Sequence, residues 1–435
     1  MTVFSGFSKL DREQRLNFIV QNSDLNTKEA LRFNDYHAPD ENQQRMLGEM
    51  IENYIGNFPL PLGVVTNMVI NDESLIVPFV TEESSVIAAA SKAAKFWAER
   101  GGFRATIEGM TKKGQIHFTW NGPGHLIKEI FSKIKDILYN TTLDLTFKMR
   151  HRGGGITAIQ LIDKTEELPN YYQIDVSFDT GDAMGANFIN SCLEKMSSAL
   201  QSINELNDGE TKLEIIMAIL SNYTPDCKVR CWVECPVEKL EGWNKVLSYN
   251  DFATKFKQSV DIATIDISRA VTHNKGIFNG IDAVLLATGN DWRATEASAH
   301  AYASRDGRYK GLTTLTLTDK TFLYELELPL AVGTVGGITQ IHPVVKQSLA
   351  ILKHPDARKL MMIAAAAGLA NNFAAIASLI TSGIQAGHMK MHLSNILNQL
   401  DVTITEKENA MRYFSDKAVS YSAVEDFILK SREKI

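Results

Sequence analysis

An excess of basic residues is missing from this chain of 435 residues: 45 Lys and Arg stand against 51 Asp and Glu, a formal charge of −6. That balance argues against nucleic acid as a partner, since a phosphate-dominated interface needs a dense basic surface, but it leaves room for one anionic small ligand held by a few local cations. Long apolar runs are missing too. The longest, LMMIAAAAGLA from Leu360 to Ala370, gives way to Asn371 and Asn372, too short to span a bilayer. The N-terminal stretch MTVFSGFSKLDREQRLNF has no basic, apolar and small-residue succession of a signal peptide, so a cytoplasmic protein without a membrane partner is expected. Cysteine is scarce. Three of the four, Cys227, Cys231 and Cys235, fall in CKVRCWVEC, which reads as a strand. Neighbours in that series would stand roughly 13 Å apart, beyond one metal or one disulfide, and are expected as small buried side chains. No G-x-G-x-x-G occurs, which removes the standard Rossmann fingerprint.

What remains is a composition 44% hydrophobic and 22% charged, that of a folded chain long enough for two or three structural units. Ser8 to about Glu52 reads as helical, with breaks near Asn22 to Asn26 and at Pro39. In VTEESSVIAAASKAAKFWAERGG, Ser84 and Ser85 can cap a helix that Gly101 and Gly102 end, which puts Glu83 at or just before its start. Beyond Gly102 short strands and turns take over. In YYQIDVSFDTGDAMGANFIN the residues Tyr172, Ile174, Val176 and Phe178 alternate with polar ones, Thr180 and Gly181 turn, and a helix follows. A strand, tight turn and helix opening at Met184, Gly185 and Ala186 can carry backbone N–H groups up to a phosphate, although an ordinary α+β connection reads the same. In LTTLTLTDKTFLYELELPL, Phe322, Tyr324, Leu326 and Leu328 share one face of a hairpin, and the glycines of GTVGG (Gly333 to Gly337) would allow close backbone approach.

The densest polar segment is SRAVTHNKGIFNGIDAVLLATGNDWRATEASAH. Lys275 stands there between Asn274 and Gly276, which suggests a loop, and Asp291 precedes a helix beginning near Trp292. Such a lysine can be a Schiff-base nucleophile, a fixed ammonium for an oxyanion, or merely a solvated side chain. In GHMKMH, His388 and His392 lie four residues apart, but Met389 fills the place where a zinc protease carries glutamate, so no metal is expected.

The strings ENYIGNFPLPLG, EESSVIAAAS, DAMGAN, THNKGIFNGID, ATGNDWRATEASAHAYASRDG, GTVGG and GIQAGHMKMH run in this order across nearly the whole chain. Together they resemble 3-hydroxy-3-methylglutaryl-CoA (HMG-CoA) reductase, specifically the soluble class II form. The resemblance implies two hydride transfers from NAD(P)H that convert HMG-CoA to mevalonate and CoA through a mevaldyl-CoA hemithioacetal and mevaldehyde, or the reverse oxidation. It implies Lys275 as the oxyanion-stabilising cation, Asp291 as its partner, Glu83 as proton donor to the carbonyl, and His388 as the acid that protonates the departing thiolate. Arg269 would grip the HMG carboxylate, with Ser85, Asn222 and Asn279 as polar contacts. Asp182, Ala183, Met184, Gly185 and Asn187 would hold the dinucleotide.

These roles suit the chemistry. Hydride addition to a thioester builds charge on one oxygen, where a fixed ammonium acts, and a thiolate leaves best against an acid working near neutral pH. Glu83 carries a tension, because a helix N-terminus favours the carboxylate whereas an acid must hold its proton.

The implied architecture is α+β. A large substrate domain (1–107 and 220–382) carries an inserted, smaller, non-Rossmann cofactor domain (108–219) with a ferredoxin-like antiparallel sheet, and a mobile helical flap (383–435) carries His388. The implied assembly is a homodimer with sites at the subunit interface, or a larger assembly of such dimers of the hexamer-of-dimers type. Two departures stand out: the family's EEPS is EESS here, with Ser84 for proline, and its GLAQN is GLANN, with Asn371. For the cofactor, TTLDLTFKMRHRGGG offers Asp144 to a ribose but also Lys148, Arg150 and Arg152 to a 2′-phosphate, which favours NADPH over NADH. Two rivals remain: a Schiff-base enzyme using Lys275, and a CoA-binding relative disabled at Ser84.

Overall fold

A computed structural model describes residues 4–203, 206, 209–381, 393–394, 396–414, 417 and 419–432. The chain forms two compact units, Met1–Leu62 and Gly63–Ile435. In the first, helices Arg12–Asn22 and Thr27–Leu31 open with capping boxes at Asp11 and Asn26, and a third helix, Glu41–Glu49, is capped by Asp40. The ENYIGN segment is tied to them by side chains: Gln44 Nε2 donates to Tyr54 Oη at 2.7 Å, and Tyr54 Oη donates to Asn57 Oδ1 at 2.8 Å.

The second unit begins with a hairpin of β1 (Leu62–Ile70) and β2 (Glu73–Val80). Two four-stranded antiparallel sheets follow. One has the order β3 (Arg104–Ile107), β8 (Lys228–Pro236), β10 (Thr321–Pro329), β9 (Thr313–Leu317); the other has the order β5 (Gly155–Asp163), β6 (Tyr171–Asp179), β4 (Thr111–Trp120), β7 (Leu213–Ser221). The second sheet is threaded β4, helix Gly124–Thr141, β5, β6, helix Ala186–Gln201, β7, the split βαβ topology of ferredoxin-like folds. The expected α+β class with a small antiparallel sheet is thus what the chain builds.

Alternation drives both sheets. On β10, Phe322, Tyr324, Leu326 and Leu328 are buried, and on β8 Val229, Cys231, Val233 and Cys235 join them as free, buried thiols and small apolar side chains. These strands pack on two long helices, Ile267–Ala287 and Ala357–Leu379. The second is long and apolar enough to cross a bilayer, yet nearly all of it is buried against the sheet and its neighbour helix. The two helices approach closely at Gly280 and Gly368: a Cβ on Gly280 would lie 2.3 Å from Ala367 O, and one on Gly368 would lie 2.8 Å from Ile281 Cγ1. Among its described residues the second unit holds three separate cores, drawn from residues 65–110 with 227–377, from 116–213, and from 393–428.

Candidate active site

Glu83 occupies the N-cap position of helix Ser84–Ala98. Neither Ser84 nor Ser85 caps that helix, contrary to the expectation from sequence. Ser85 Oγ instead turns back and donates to Glu83 Oε1 at 2.9 Å, and the Glu83 side chain makes no capping bond. Its other oxygen, Oε2, accepts from Lys275 Nζ at 2.9 Å across a separation of 192 residues. The carboxylate is therefore held toward a cation rather than toward the amides of its own helix.

Lys275 does not lie in a loop. It sits inside helix Ile267–Ala287, and of the glycines after it Gly280 serves packing: a Cβ there would lie 2.3 Å from Ala367 O, whereas one on Gly276 would make only an ordinary contact with Asn372 Nδ2 at 3.4 Å. The residues before Lys275 anchor that turn. Asn274 Nδ2 donates to Tyr309 Oη and Lys310 O, both at 3.0 Å, and its Oδ1 accepts from Leu312 N at 2.9 Å. His273 Nε2 lies 2.6 Å from Thr313 Oγ1, and burial pushes the imidazole down to about 3, so it is a neutral packing group. The Lys275 side chain is 63% exposed and that of Glu83 36%. An ion pair so open to water contributes at most about 1 kcal/mol to folding, so stability does not account for its careful positioning.

Asp291 stands at the start of the helix that follows the lysine's. It caps helix Trp292–Ala303 by accepting from Ala294 N at 3.0 Å, with Arg293 Nε at 3.9 Å. Among the described residues, Asp291 makes no hydrogen bond to Lys275. Arg269 lies in the first turn of the lysine's helix, half-buried, and burial lowers its pKa. Asn279 follows Lys275 by one turn on the same face, half-buried. Asn222 stands elsewhere, with Lys112, Met184 and Ser298 around a cavity of about 20 Å³. His388 and His392 lie outside the described residues.

The turn Thr180–Gly185 leads into helix Ala186–Gln201, whose N-cap is Gly185 at φ 90°. No side chain caps this N-terminus, and no acid stands in its first turn. Its amides are therefore available to an anion, which fits a dinucleotide diphosphate. The glycine loop approaches as its sequence suggested: Thr334 N donates to Asp182 O at 2.8 Å, and a Cβ on Gly333 would lie 2.4 Å from Met184 N. The Asp182 carboxylate is already engaged, with Oδ1 accepting from Ala357 N at 2.9 Å. Sequence reasoning passed over Asn290, whose Oδ1 accepts from Gly333 N at 2.8 Å and so ties the residue before Asp291 to the glycine loop. Ala183 to Phe188, Gly289 to Asp291 and the glycine loop line one cleft of about 300 Å³.

A pair of acids links the helices of Lys275 and Asp291. Asp282, seven residues after Lys275 and so on the same helical face, bonds to Glu296 of helix Trp292–Ala303; burial, with that second carboxyl, pushes Asp282 up to about 8. The folded state then keeps a proton that an unfolded aspartate loses near 3.9, so stability falls as pH rises from about 4 to about 8. Asp282→Asn is expected to raise the melting temperature at pH 8 by on the order of a few degrees and to change it little at pH 4. Equal shifts at both pH values would show that the pair does not share a proton.

The family model described as hydroxymethylglutaryl-coenzyme A reductase matches residues 11–393. The chain is 36% identical over 392 residues to the 3-hydroxy-3-methylglutaryl-coenzyme A reductase of Archaeoglobus fulgidus, covering 90% of this chain and 86% of that one. It is 33% identical over 402 residues to a probable reductase of the same name from Borreliella burgdorferi, covering 91% and 88%. A solved class II reductase from Streptococcus pneumoniae bound to NADPH matches with a TM-score of 0.71 and 35% identity, covering 87% of this chain and 100% of that one.

Proposed function

Since the chain belongs to the hydroxymethylglutaryl-coenzyme A reductase family, we propose that its catalytic centre is built on Lys275 and Glu83. It is an oxidoreductase of HMG-CoA and mevalonate that uses a nicotinamide cofactor. The observation that carries the assignment of the centre is the 2.9 Å contact of Lys275 Nζ with Glu83 Oε2. In it, the ammonium binds the thioester carbonyl oxygen and holds the charge that grows there, while Glu83, steadied by Ser85, passes a proton to that oxygen. Asp291, at the start of the next helix, orients the lysine once substrate draws Glu83 away. Arg269 holds the distal carboxylate, with Asn279 and Asn222 as neutral contacts. His388 protonates the CoA thiolate after the first reduction.

Residues 1–107 and 220–382 serve as the substrate domain, 108–219 as the cofactor domain and 383–435 as the flap, a division supported by the three separate cores. Bound at the Asp182–Asn187 turn, the reduced nicotinamide supplies hydride twice in each turnover. NADPH is the cofactor favoured over NADH. Asp144, the acid that would suit an unphosphorylated ribose, is held by Lys195 at 2.6 Å, and Arg150 and Arg152 flank the start of β5, beside the end of β6 that leads into this turn. No metal takes part. An oxyanion site works best when dry, and one chain leaves Lys275 63% exposed, which supports closure by a partner subunit in a homodimer or a larger assembly of dimers, acting in the cytoplasm.

The test is the absorbance of reduced nicotinamide with HMG-CoA added, run separately with NADPH and NADH; no oxidation of either at high enzyme would refute the assignment. His388→Gln is expected to leave mevaldehyde reduction within a few-fold of normal and to lower HMG-CoA reduction by about 10²–10⁴-fold, the span for a lost general acid. Equal losses on both substrates would remove His388 from thiolate protonation.

A further inference from the structure

Lys112, on β4, is 2% exposed, and a lysine so buried is rare unless something requires its charge. Its Nζ donates to Thr180 Oγ1 at 2.6 Å and to Ala183 O at 2.8 Å, and Thr180 Oγ1 itself donates to Ala183 O at 2.6 Å. These three groups form a closed triangle directly behind the turn that leads into helix Ala186–Gln201. Thr180 is buried as well, and its methyl group fills the space beside Gly185, where a Cβ would come within 2.5 Å of Thr180 Cγ2. On its open side the same turn is held by the Gly333 loop.

Among the described residues, no carboxylate bonds to this ammonium. Asp179 and Asp182 act on it only through space, and Cys227, the other titratable group near it, has a thiol that burial pushes up to about 11 and so stays neutral. Lys112 also shares a small cavity whose other lining residues, among them Met184 of the turn, Ile189 of helix Ala186–Gln201, Asn222 and Thr224 after β7, and Ser298 of helix Trp292–Ala303, are all uncharged. Burial lowers the lysine's pKa. A cation placed in this way is under-compensated, and an anion arriving on the far side of the turn supplies what it lacks.

We propose that Lys112 is a positioning residue for the cofactor: its buried ammonium fixes the Thr180–Ala183 turn and sets a positive charge behind the surface that receives the dinucleotide diphosphate. The inference rests on the reading of Asp182–Asn187 as the cofactor turn. Two consequences separate it from a purely structural role. Cofactor affinity depends on the ammonium's being charged, so the KM for reduced nicotinamide rises as pH climbs toward the lysine's range. Cofactor binding in turn draws a proton onto the enzyme under alkaline conditions, by linkage.

The experiment measures KM for NADPH and for HMG-CoA across pH 7 to 10 in the full-length enzyme, Lys112→Met and Thr180→Val, with Gly185→Val as the probe of the turn itself. Lys112→Met is expected to raise the cofactor KM at pH 7 by about tenfold, the scale of one partly screened charge lost near an anion, with the HMG-CoA KM within about twofold and the alkaline rise gone. Thr180→Val keeps the charge but removes one acceptor from it, so its alkaline rise is expected to begin at lower pH. An unchanged cofactor KM in Lys112→Met overturns the inference. Should that variant fail to fold, an unshifted pH profile in Thr180→Val overturns it equally. Gly185→Val, strained at a positive φ and crowded by Thr180, is expected to raise the cofactor KM whatever Lys112 does. If it does not, the reading of the turn falls; if it does and Lys112→Met does not, only the role of Lys112 falls.

Discussion

Lys275→Ala is expected to lower kcat for HMG-CoA reduction by about 10²–10³-fold, the scale measured when one oxyanion donor is removed from an enzyme, with a larger loss consistent with the full charge of an ammonium. KM for the nicotinamide should move little, because Lys275 lies outside the cleft formed by the Thr180–Gly185 turn and the glycine loop, the cofactor site proposed above. The protein should melt where the parent does, since the Glu83 ion pair is largely solvated and its loss costs at most about 1 kcal/mol. Activity and stability thus separate, and steady-state kinetics beside a thermal melt reads both. A variant with near-normal kcat would take Lys275 out of the chemistry. Lys275→Arg distinguishes the two roles open to this lysine: a guanidinium still carries charge and keeps partial activity as an oxyanion partner, whereas a Schiff-base mechanism loses everything.

Gly280→Ala carries the largest expected effect on folding. Its Cβ would fall 2.3 Å from Ala367 O and 2.6 Å from Ala367 C, backbone atoms that no rotamer change can move. Over-packing of this kind costs roughly 3 kcal/mol, against about 1 kcal/mol gained from alanine's better helix propensity, so the crowding wins by about 2 kcal/mol. The melting temperature should fall by on the order of 5 °C. Because Lys275 lies on the same helix, kcat should fall with it as the helices part. Gly276→Ala is the control, since its Cβ meets only Asn372 Nδ2 at 3.4 Å, an ordinary contact, and should leave stability level or slightly raised. Equal melting of Gly280→Ala and the parent would mean that the helix crossing is looser than its geometry indicates.

Much of the fold can be read along the sequence because its signals are local. Tyr172 to Phe178 alternate with period two and form β6; Phe322 to Leu328 do the same on β10. The turn at Thr180 and the close approach of GTVGG are likewise local, the first from turn chemistry and the second from glycine's missing side chain. Lys275 misleads for a physical reason. Glycine beside lysine and asparagine looks like a loop, whereas Gly276 and Gly280 both sit on a helix, and Gly280 is what lets that helix approach Ala357–Leu379. Lys112 is illegible for another. In MTKKGQ it resembles any solvated lysine, and what buries it, Thr180, lies 68 residues away. Asp182 looks free to meet a dinucleotide, but Ala357, 175 residues on, takes its carboxylate. Asp282 and Glu296 show no local sign of sharing a proton, because their pairing depends on how two helices are laid together.

The turn Thr180–Gly185 is tied largely through main-chain atoms. Thr334 N reaches Asp182 O, Gly333 runs so close to Met184 N that a Cβ would not fit, and Ala183 and Val335 form an isolated parallel bridge. Such ties are indifferent to what the side chains of Ala183, Met184 and Val335 are, so long as they fit, but they fix how many residues each segment contains. Drift by substitution can therefore proceed here while the count stays constant, whereas one residue inserted or deleted between Thr180 and Gly185, or between Gly333 and Val335, puts the two segments out of step at once.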